Sequence, residues 1–541
     1  MNAVEPRILP AGSSALLLDC GSLDRALSAF AALSAAIERG ELSVDELVPA
    51  AETVLVSGGE ARDAGALAPK LRKLLAGAAT AARGATSGPE VLIPVRYDGE
   101  DLDDVANLTG LSREAVVERH LAALYTVAFT GFAPGFAYLS GGDPALAVPR
   151  RSTPRPRILP GSVGLAGPFS GVYPRESPGG WQIIGSTSLV LWDIDREQPA
   201  ALVAGGTVRF AAERESVPAH APLASQAAPA ASAAPLGAAT LRVVDAGLQT
   251  LVQDAGRSGV AGMGVGTSGV AARGAYRRAN ALVGNRRGAA ALELGHGGFA
   301  VTAIATAVLA LTGAPRAGRV SGPYGERSVP HGAAFRLSVG EQLSLDAPTR
   351  GLRTVLALRG GIAAQPVLGS VSRDTLAGLG PRPLAVGDKI CAGDCGVRSV
   401  SPPLGAEPAL PAPGEDTVLR VIFGPRDDWF DDDALARLTA QTWTVTPQSN
   451  RVGVRLAGDP LPRAASVAER ELPSEGVALG SLQVPPDGQP VLFLADRPLT
   501  GGYPVIAVVH DDDLDLAAQL APGSRVRFTP AAATSSVRPQ P

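Results

Sequence analysis

The chain has 541 residues, is 45% apolar and carries a formal net charge of −4 from 48 Lys+Arg against 52 Asp+Glu. At about 100–200 residues per domain, this length predicts two to four domains, each able to bury a core. The charge balance leaves no basic footprint for nucleic acid. The longest apolar stretch, Val301 to Ala314, has 14 residues, short of the roughly 18 that span a bilayer. The amino-terminal segment MNAVEPRILPAGSS lacks a basic-then-apolar secretory pattern. A soluble, cytoplasmic protein is expected, with neither nucleic acid nor membrane as partner.

Two residue counts narrow the chemistry. Cys20, Cys391 and Cys395 are too few for a disulfide framework or a four-thiolate zinc site. They are expected as small core or loop residues, and no metal site is expected. Lysine occurs only at Lys70, Lys73 and Lys389, never within a GxxxxGK[ST] phosphate loop. Met1 and Met263 are the only methionines, so no Met-Lys-Met site for covalent biotin is present. A nucleotide must be held by other groups, and a biotin must arrive on another subunit.

Taken in order, Ser22 to Arg39 has apolar positions at helical spacing, with Ser22 placed as its cap. Pro49 to Ser57 reads as a strand and Ala66 to Ala82 as a second helix, giving a small α/β domain over residues 1–90. Short apolar runs broken by Gly and Pro follow, the texture of β-barrels and sandwiches. Ser112 to Tyr125 is a helical exception inside the β domain expected over 91–214. Residues 215–240, nearly all Ala, Pro and Ser, are expected as a mobile tether. A β domain over 241–400, a Pro-rich linker over 401–416, a further β domain over 417–530 and a disordered tail over 531–541 complete the division. Near Ala271 to Val283 another helix is expected.

The sequence also echoes itself. LVAGGTVRF (Leu202 to Phe210) resembles LAPGSRVRF (Leu520 to Phe528), and GGWQII (Gly179 to Ile184) resembles GGYPVI (Gly501 to Ile506). VGEQLSL from Val339 and AVGDKI from Ala385 carry similar endings, so related barrel modules are expected.

Few motifs carry chemistry by themselves. Gly264, Gly266 and Gly269 form a literal GxGxxG, but the segment before it is loop-like rather than an apolar strand. A loop allowing close approach of a ligand or second chain fits better than a dinucleotide site. No HExxH and no GxSxG is present, which removes the usual zinc-hydrolase and serine-triad anchors. His120 falls near the end of a predicted helix, where a cap, a packing role or a ligand role are all open. PRRSTPRPR (Pro149 to Arg157) packs four arginines among three prolines. Such forks bind carboxylate or phosphate, although a solvated basic strip is the alternative. YPRESPGGW (Tyr173 to Trp181), QDAGR (Gln253 to Arg257), SNR (Ser449 to Arg451) and SEG (Ser474 to Gly476) add polar turns suited to a small anionic or amide substrate.

GFAPGFAYL (Gly131 to Leu139), VPRRSTPRPRILPGSVGLAG (Val148 to Gly167) and GVYPRESPGGWQIIG (Gly171 to Gly185) resemble the allophanate-hydrolase-subunit-1 type domain. After the tether, GLQTLVQDAGRSG (Gly247 to Gly259), RANALVGN (Arg278 to Asn285), ALELGHGG (Ala291 to Gly298) and LRGGIAAQPVLGSVSRDTLAGLG (Leu358 to Gly380) resemble the subunit-2 type. FGPRDDWF (Phe423 to Phe430), SNRVGVRL (Ser449 to Leu456) and the block Ser474 to Pro504 continue that resemblance. It implies a mainly β fold with α+β parts: cyclophilin-like β-barrel domains preceded by a small α/β domain. Two halves that are separate subunits in many bacteria would be fused here.

That family includes the B and C subunits of 5-oxoprolinase, the carboxyltransferase region of urea carboxylase, and a sporulation-kinase inhibitor with its antagonist. The reading favoured for this chain is a component of an ATP-dependent 5-oxoprolinase, opening a lactam to glutamate with a separate third subunit. The alternatives are carboxyl transfer from carboxybiotin to a urea-like amide and a kinase-inhibiting binding module. The implied co-substrate is ATP with Mg2+, with no covalent biotin on this chain. The partners would be a small amide or lactam, the third subunit and, in a multi-subunit assembly, further copies of the chain.

The residues carried over follow the matching blocks. For catalysis they are His120, Glu293, Glu475 and Asp496. For substrate or ATP they are Arg151, Arg155, Tyr173 and Ser177 in the first half, and Gln253, Asp254, Arg257 and Asn280 after the tether. Asn450, Arg451, Ser474, Gln483 and Tyr503 complete the set. Three positions depart from the family pattern: Ala272 stands for an Asp, Ser186 for an Arg and Pro160 for an Ala. The first two remove charge from site loops, so altered substrate choice or reduced activity is expected.

Overall fold

The computed structural model describes residues 6–78, 90–151, 153–213, 237–323, 325–403 and 408–531. Most of the expected tether, the tail and the last four residues of the second expected helix lie outside them. The first block is an antiparallel four-stranded sheet, ordered Arg7–Pro10, Ala15–Asp19, Thr53–Ser57, Glu46–Pro49. Helix Leu23–Glu38 buries Ala26, Ala29, Leu33 and Ala36, a 3–4 spacing that gives it one apolar face. It packs with helix Ala64–Ala78 over the sheet, on a core including Leu16, Leu18, Val54 and Val56. Ser22 occupies the cap position but makes no side-chain cap bond. The expected strand Pro49 to Ser57 is instead the end of one strand, a turn and a second strand. Ala50 N donates to Thr53 O across that turn, and its alanines hid the reversal from an apolar pattern.

A barrel follows. Its strands run Gln182–Ser186, Ser162–Ala166, Phe169–Val172, Ala137–Ser140, Tyr125–Thr130, Thr207–Ala212, Glu90–Val95. Arg96 and Ser186 exchange backbone hydrogen bonds of 2.8 Å, bringing the outer strands together. The last block repeats that order in a closed barrel: Val505–Val509, Ser481–Gln483, Val491–Phe493, Gly453–Ala457, Trp443–Val445, Arg525–Pro530, Asp416–Phe423. The echoed endings occupy equivalent places. Thr207–Ala212 pairs parallel with Glu90–Val95, as Arg525–Pro530 does with Asp416–Phe423, each in otherwise antiparallel surroundings. Between them lies a middle block of two antiparallel sheets, of six and five strands, around Leu241, Val301, Leu309 and Leu356. The segments from Val339 and Ala385 supply strands Gln342–Leu345 and Lys389–Cys391 there, both paired antiparallel.

Helix Arg113–Ala122 matches expectation, with Ser112 Oγ accepting from Ala115 N at 3.2 Å. Helix Arg273–Leu282 lies inside the expected range. Leu102–Thr109 and Asp432–Ala440 are helices that the apolar pattern did not reveal. The halves meet along an extensive seam. Leu17, Val48 and Leu55 of the first block pack with Ala478 and Leu499 of the last barrel. The glycine loop before helix Arg273–Leu282 approaches GFAPGFAYL. Gly135 N donates to Met263 O at 3.0 Å, and a Cβ on Gly264 would sit 2.6 Å from Ala133 O. Its φ of +77° also favours glycine. Close approach of the chain's own backbone suits this motif: Gly264 meets the first half, Gly266 the carbonyl of Arg497 and Gly269 the Ala255–Gly256 turn.

Candidate functional site

The seam concentrates buried charge. Asn450 Oδ1 accepts from Val452 N at 2.8 Å, a local turn. The next residue, Arg451, is nearly fully buried, at 2% side-chain exposure. Its Nη1 bonds Glu293 of strand Ala291–Leu294, its Nε and Nη2 each reach Asp496 at 3.0 Å, and Nη2 also donates to Gly269 O at 2.5 Å. Glu293 further accepts from Ala271 N at 2.7 Å and lies 3.5 Å from Arg353 Nε. Asp496 accepts from Ser268 Oγ and Thr375 Oγ1, both at 2.6 Å. Despite desolvation, Arg451 and these donors hold the Asp496 carboxyl below its usual pKa. The cluster is a satisfied tie between the middle block and the last barrel.

Beside it stands a group of different character. Asp374 is 3% exposed; burial first, then nearby Asp496, push its carboxyl up to about 6. Its one side-chain hydrogen bond among the described residues is from Ala377 N at 2.7 Å. Arg257 opposes the rise; its Nε donates to Val367 O at 3.2 Å and its Nη2 to Ser372 O, while Nη1 is buried with no partner. Arg175, from the first barrel's YPRES turn, has Asp374 as its opposing charge and makes no ion pair among the described residues. Its Nε is buried without a partner. Asp254 shapes the loop that carries Asp374, accepting from Ser370 Oγ and Ser372 Oγ at 2.6 Å and from Val371 N at 2.9 Å. A buried carboxyl held above its ordinary range, with guanidinium groups of both halves as its opposing charges, is the seam's candidate for proton exchange.

Other expected residues have structural placements. Arg151 and Arg155 converge on Asp101: Arg151 Nη1 at 2.5 Å and both Arg155 Nη groups at 2.7 Å, joined by Ile183 N at 2.7 Å. Both forks thus share one buried carboxylate of the protein, while Arg151 Nε is buried with no partner among the described residues. Glu475 pairs with Arg426, whose Nη1 also reaches Asp19 at 2.9 Å, so it ties the last barrel to the first block. Burial raises the Glu475 carboxyl above its usual range, against the pull of Arg426.

His120 is fully buried in the first barrel. Tyr97 Oη lies 2.7 Å from Nδ1, Ser170 Oγ 3.0 Å from Nε2, and Phe210 packs at 4.2 Å between ring centres. Burial drives its pKa down to about 3, so it stays neutral, and the structure places it in the barrel core apart from the other expected catalytic residues.

Tyr173 sits in an aromatic cluster with Phe132, Phe136 and Trp181. Ser177 Oγ donates to the Arg175 carbonyl at 3.5 Å, and its backbone pairs with Ile158. Asn280 is a core amide bonded to Ala289 O and Asn285. Gln253 donates to Arg373 O at 2.8 Å, leaving its buried Oε1 unpartnered, one residue before Asp254 and its loop tie. Ser474 O accepts from Ala51 N across the seam, and Gln483 donates to Tyr503 O at 3.0 Å. Ala272 caps helix Arg273–Leu282 in a buried position, and Ser186 Oγ donates to Asp98 at 2.8 Å. Asp374 and Arg175 were missed, although both lie inside matching blocks. The signal was charge among Ser, Gly and Pro in VSRDT and YPRES. Among the described residues no three His, Cys, Asp or Glu side chains are grouped to share a metal ion. No described helix is long and apolar enough to cross a membrane.

Two barrels of one strand order, joined across a seam rich in buried charge, define a duplicated β-barrel architecture. "Carboxyltransferase domain, subdomain C and D" matches residues 6–202, and "Carboxyltransferase domain, subdomain A and B" matches 263–530. The C subunit of 5-oxoprolinase from Escherichia coli is 34% identical over 298 residues, 53% of this chain and 90% of that protein. The B subunit of 5-oxoprolinase from Escherichia coli is 49% identical over 128 residues, 23% of this chain and 59% of that protein. Urea amidolyase of Saccharomyces cerevisiae is 30% identical over 317 residues, 54% of this chain but 16% of that protein. The crystal structure of TTHA0988 superposes with a TM-score of 0.80 at 34% identity, covering 95% of this chain and 99% of that one. The chain belongs to the carboxyltransferase-domain family, with the C/D part preceding the A/B part.

Proposed function

We propose that this chain is a fused B- and C-type component of an ATP-dependent 5-oxoprolinase, activating 5-oxoproline for ring opening to glutamate with a separate third subunit. One observation carries the reading: its two halves are similar to two different subunits of that enzyme. The seam adds a chemical reason for keeping them together, since Arg175 comes from one half and Asp374 and Arg257 from the other.

Lactam activation needs positive charge near phosphate and near the carbonyl oxygen, and a group that carries a proton to the departing amide nitrogen. The unpartnered Nη1 of Arg257 and the Arg175 fork suit the first task. Asp374, protonated over part of the working pH range, suits the second. ATP and its Mg2+ enter as substrate, held by guanidinium groups in place of a phosphate loop. Arg451 and Glu293 position this group by holding Asp496 and the Gly269 turn behind it.

The test is formation of glutamate and ADP from 5-oxoproline and ATP, by the chain alone and with the third subunit. Turnover only with both supports the proposal, and none in either case, with a competent third subunit, refutes it. Similarity to urea amidolyase favours a second reading, carboxyl transfer from carboxybiotin to a small amide. Free carboxybiotin and urea, with release of biotin as readout, distinguish it.

A further inference from the structure

Most arginines along the seam are neutralised. Arg151, Arg155, Arg426, Arg451 and Arg497 each meet a carboxylate within 3.0 Å. Arg150, Arg463 and Arg470 meet none among the described residues. Among the described residues Arg463 donates only from Nη1 to the Arg470 carbonyl, at 3.2 Å, and its buried Nε has no partner. Burial pulls the Arg463 guanidinium below its usual range, with Tyr503 opposing. Glu469 and Glu471 are close in sequence but exposed, and pair with none of the three.

Two of the three side chains share one indole, and the third, from the other half, meets Gly502 next to Tyr503, whose charge Arg463 feels. Arg463 and Arg470 flank one indole, their guanidinium carbons 5.7 and 5.6 Å from the Trp429 ring centre. This stacking holds two long side chains in place. Arg150 arrives from the first barrel; its Nη1 lies 3.2 Å from where a Cβ on Gly502 would stand, and Leu472 O lies 3.6 Å from that point. Any residue but glycine there would crowd the Arg150 fork. Tyr503, next in the chain, is 39% exposed.

We infer that Arg150, Arg463 and Arg470, with Tyr503, form a binding site for a small oxyanion, either the carboxylate of an amide acid or a phosphate group. Clustered like charge without a counter-ion is unfavourable until an anion enters, and guanidinium forks match either oxyanion geometry. The site lies beside the Arg151–Arg155–Asp101 tie, one residue along from it. It extends the 5-oxoprolinase reading by offering an anchor for a charged end of the substrate, yet its anion chemistry stands without that reading.

The test is calorimetric titration of the full chain with inorganic phosphate, 5-oxoproline and ATP, compared with Arg150→Gln, Arg463→Gln and the conservative Arg463→Lys. Melting curves verify folding, and exposed Arg470→Gln serves should Arg463→Gln not fold. The expected result is saturable binding of at least one probe, weakened at least about tenfold by each Gln change and less by Lys. Loss of 5-oxoproline binding alone marks a carboxylate site; loss of phosphate and ATP binding marks a phosphate site. No binding of any probe by the native chain at millimolar concentration overturns the inference, as does equal binding by the Gln variants. Oxyanion binding without turnover would count against the 5-oxoprolinase reading only. Turnover with undiminished binding in the variants would count against this site only.

Discussion

Asp374→Asn separates a carboxyl kept for chemistry from one kept for stability. Asp374 is 3% exposed and its carboxyl is raised from 3.8 to about 6 by burial and by Asp496. The charged groups facing it are Arg257 and Arg451, which lower it, and Arg175 and Arg373, which are themselves desolvated. A folded pKa above the unfolded one means that the native state holds the extra proton in between, so stability falls as pH rises through that window. The span from 3.8 to about 6 corresponds to a penalty on the order of 3 kcal/mol, absent below about pH 4 and complete above about pH 6. Asparagine cannot ionise, and its Oδ1 can still accept the Ala377 N–H now bonded at 2.7 Å. The variant is therefore expected to resist urea better than the native chain at about pH 8 and to match it at about pH 4. Turnover, with any partner subunit present, should fall by about 10²–10⁴-fold, the range for loss of a general acid or base. The unfolding midpoint across pH is the assay. A variant less stable at pH 8, or one stabilised equally at both pH values, would refute the reasoning and make Asp374 an ordinary ion-pair acid.

Three further outcomes are expected. Arg451→Met leaves Glu293 and Asp496 buried without their shared cation and should cost about 3–5 kcal/mol; adding Asp496→Asn should recover part of it in the same urea assay. His120→Gln should cost about 1–3 kcal/mol through the Tyr97 and Ser170 bonds while leaving turnover per folded molecule unchanged. Because burial lowers the His120 pKa to about 3, the unfolded chain binds more protons between there and 6.5, and stability drops as pH falls through that window; the variant should flatten this loss. Cutting a protease site placed within residues 215–236 should leave the halves co-eluting in gel filtration. Arg426–Asp19, Arg497–Glu46 and the Leu17–Leu55–Leu499 packing join them without the tether, and separation after cleavage would contradict that.

The sequence and the structure agree where the physics is local and part company where it is not. Helices Leu23–Glu38 and Arg113–Ala122 were legible because a 3.6-residue apolar period needs only its own neighbours. The barrel duplication was legible because both parallel closing strands kept the same Gly-turn-strand signature. The charge network was not, since Arg451 meets Glu293 across 158 residues and Arg497 meets Glu46 across 451.

One missed helix shows how such an error spreads. EDLDDV carries four acids in six residues, yet Leu102–Thr109 is helical and buries Leu102, Val105 and Ala106. Asp101 stands at its N-cap position, but its carboxylate makes no cap bond; it turns instead to Arg151, Arg155 and Ile183 N. With that partner unseen, the arginines of PRRSTPRPR looked alike as anion ligands. Once it is placed, two of them are neutral ties and Arg150, their immediate neighbour, is left carrying uncompensated charge towards Gly502. Adjacent arginines in one proline-stiffened loop thus take opposite roles, decided by a carboxylate about fifty residues upstream.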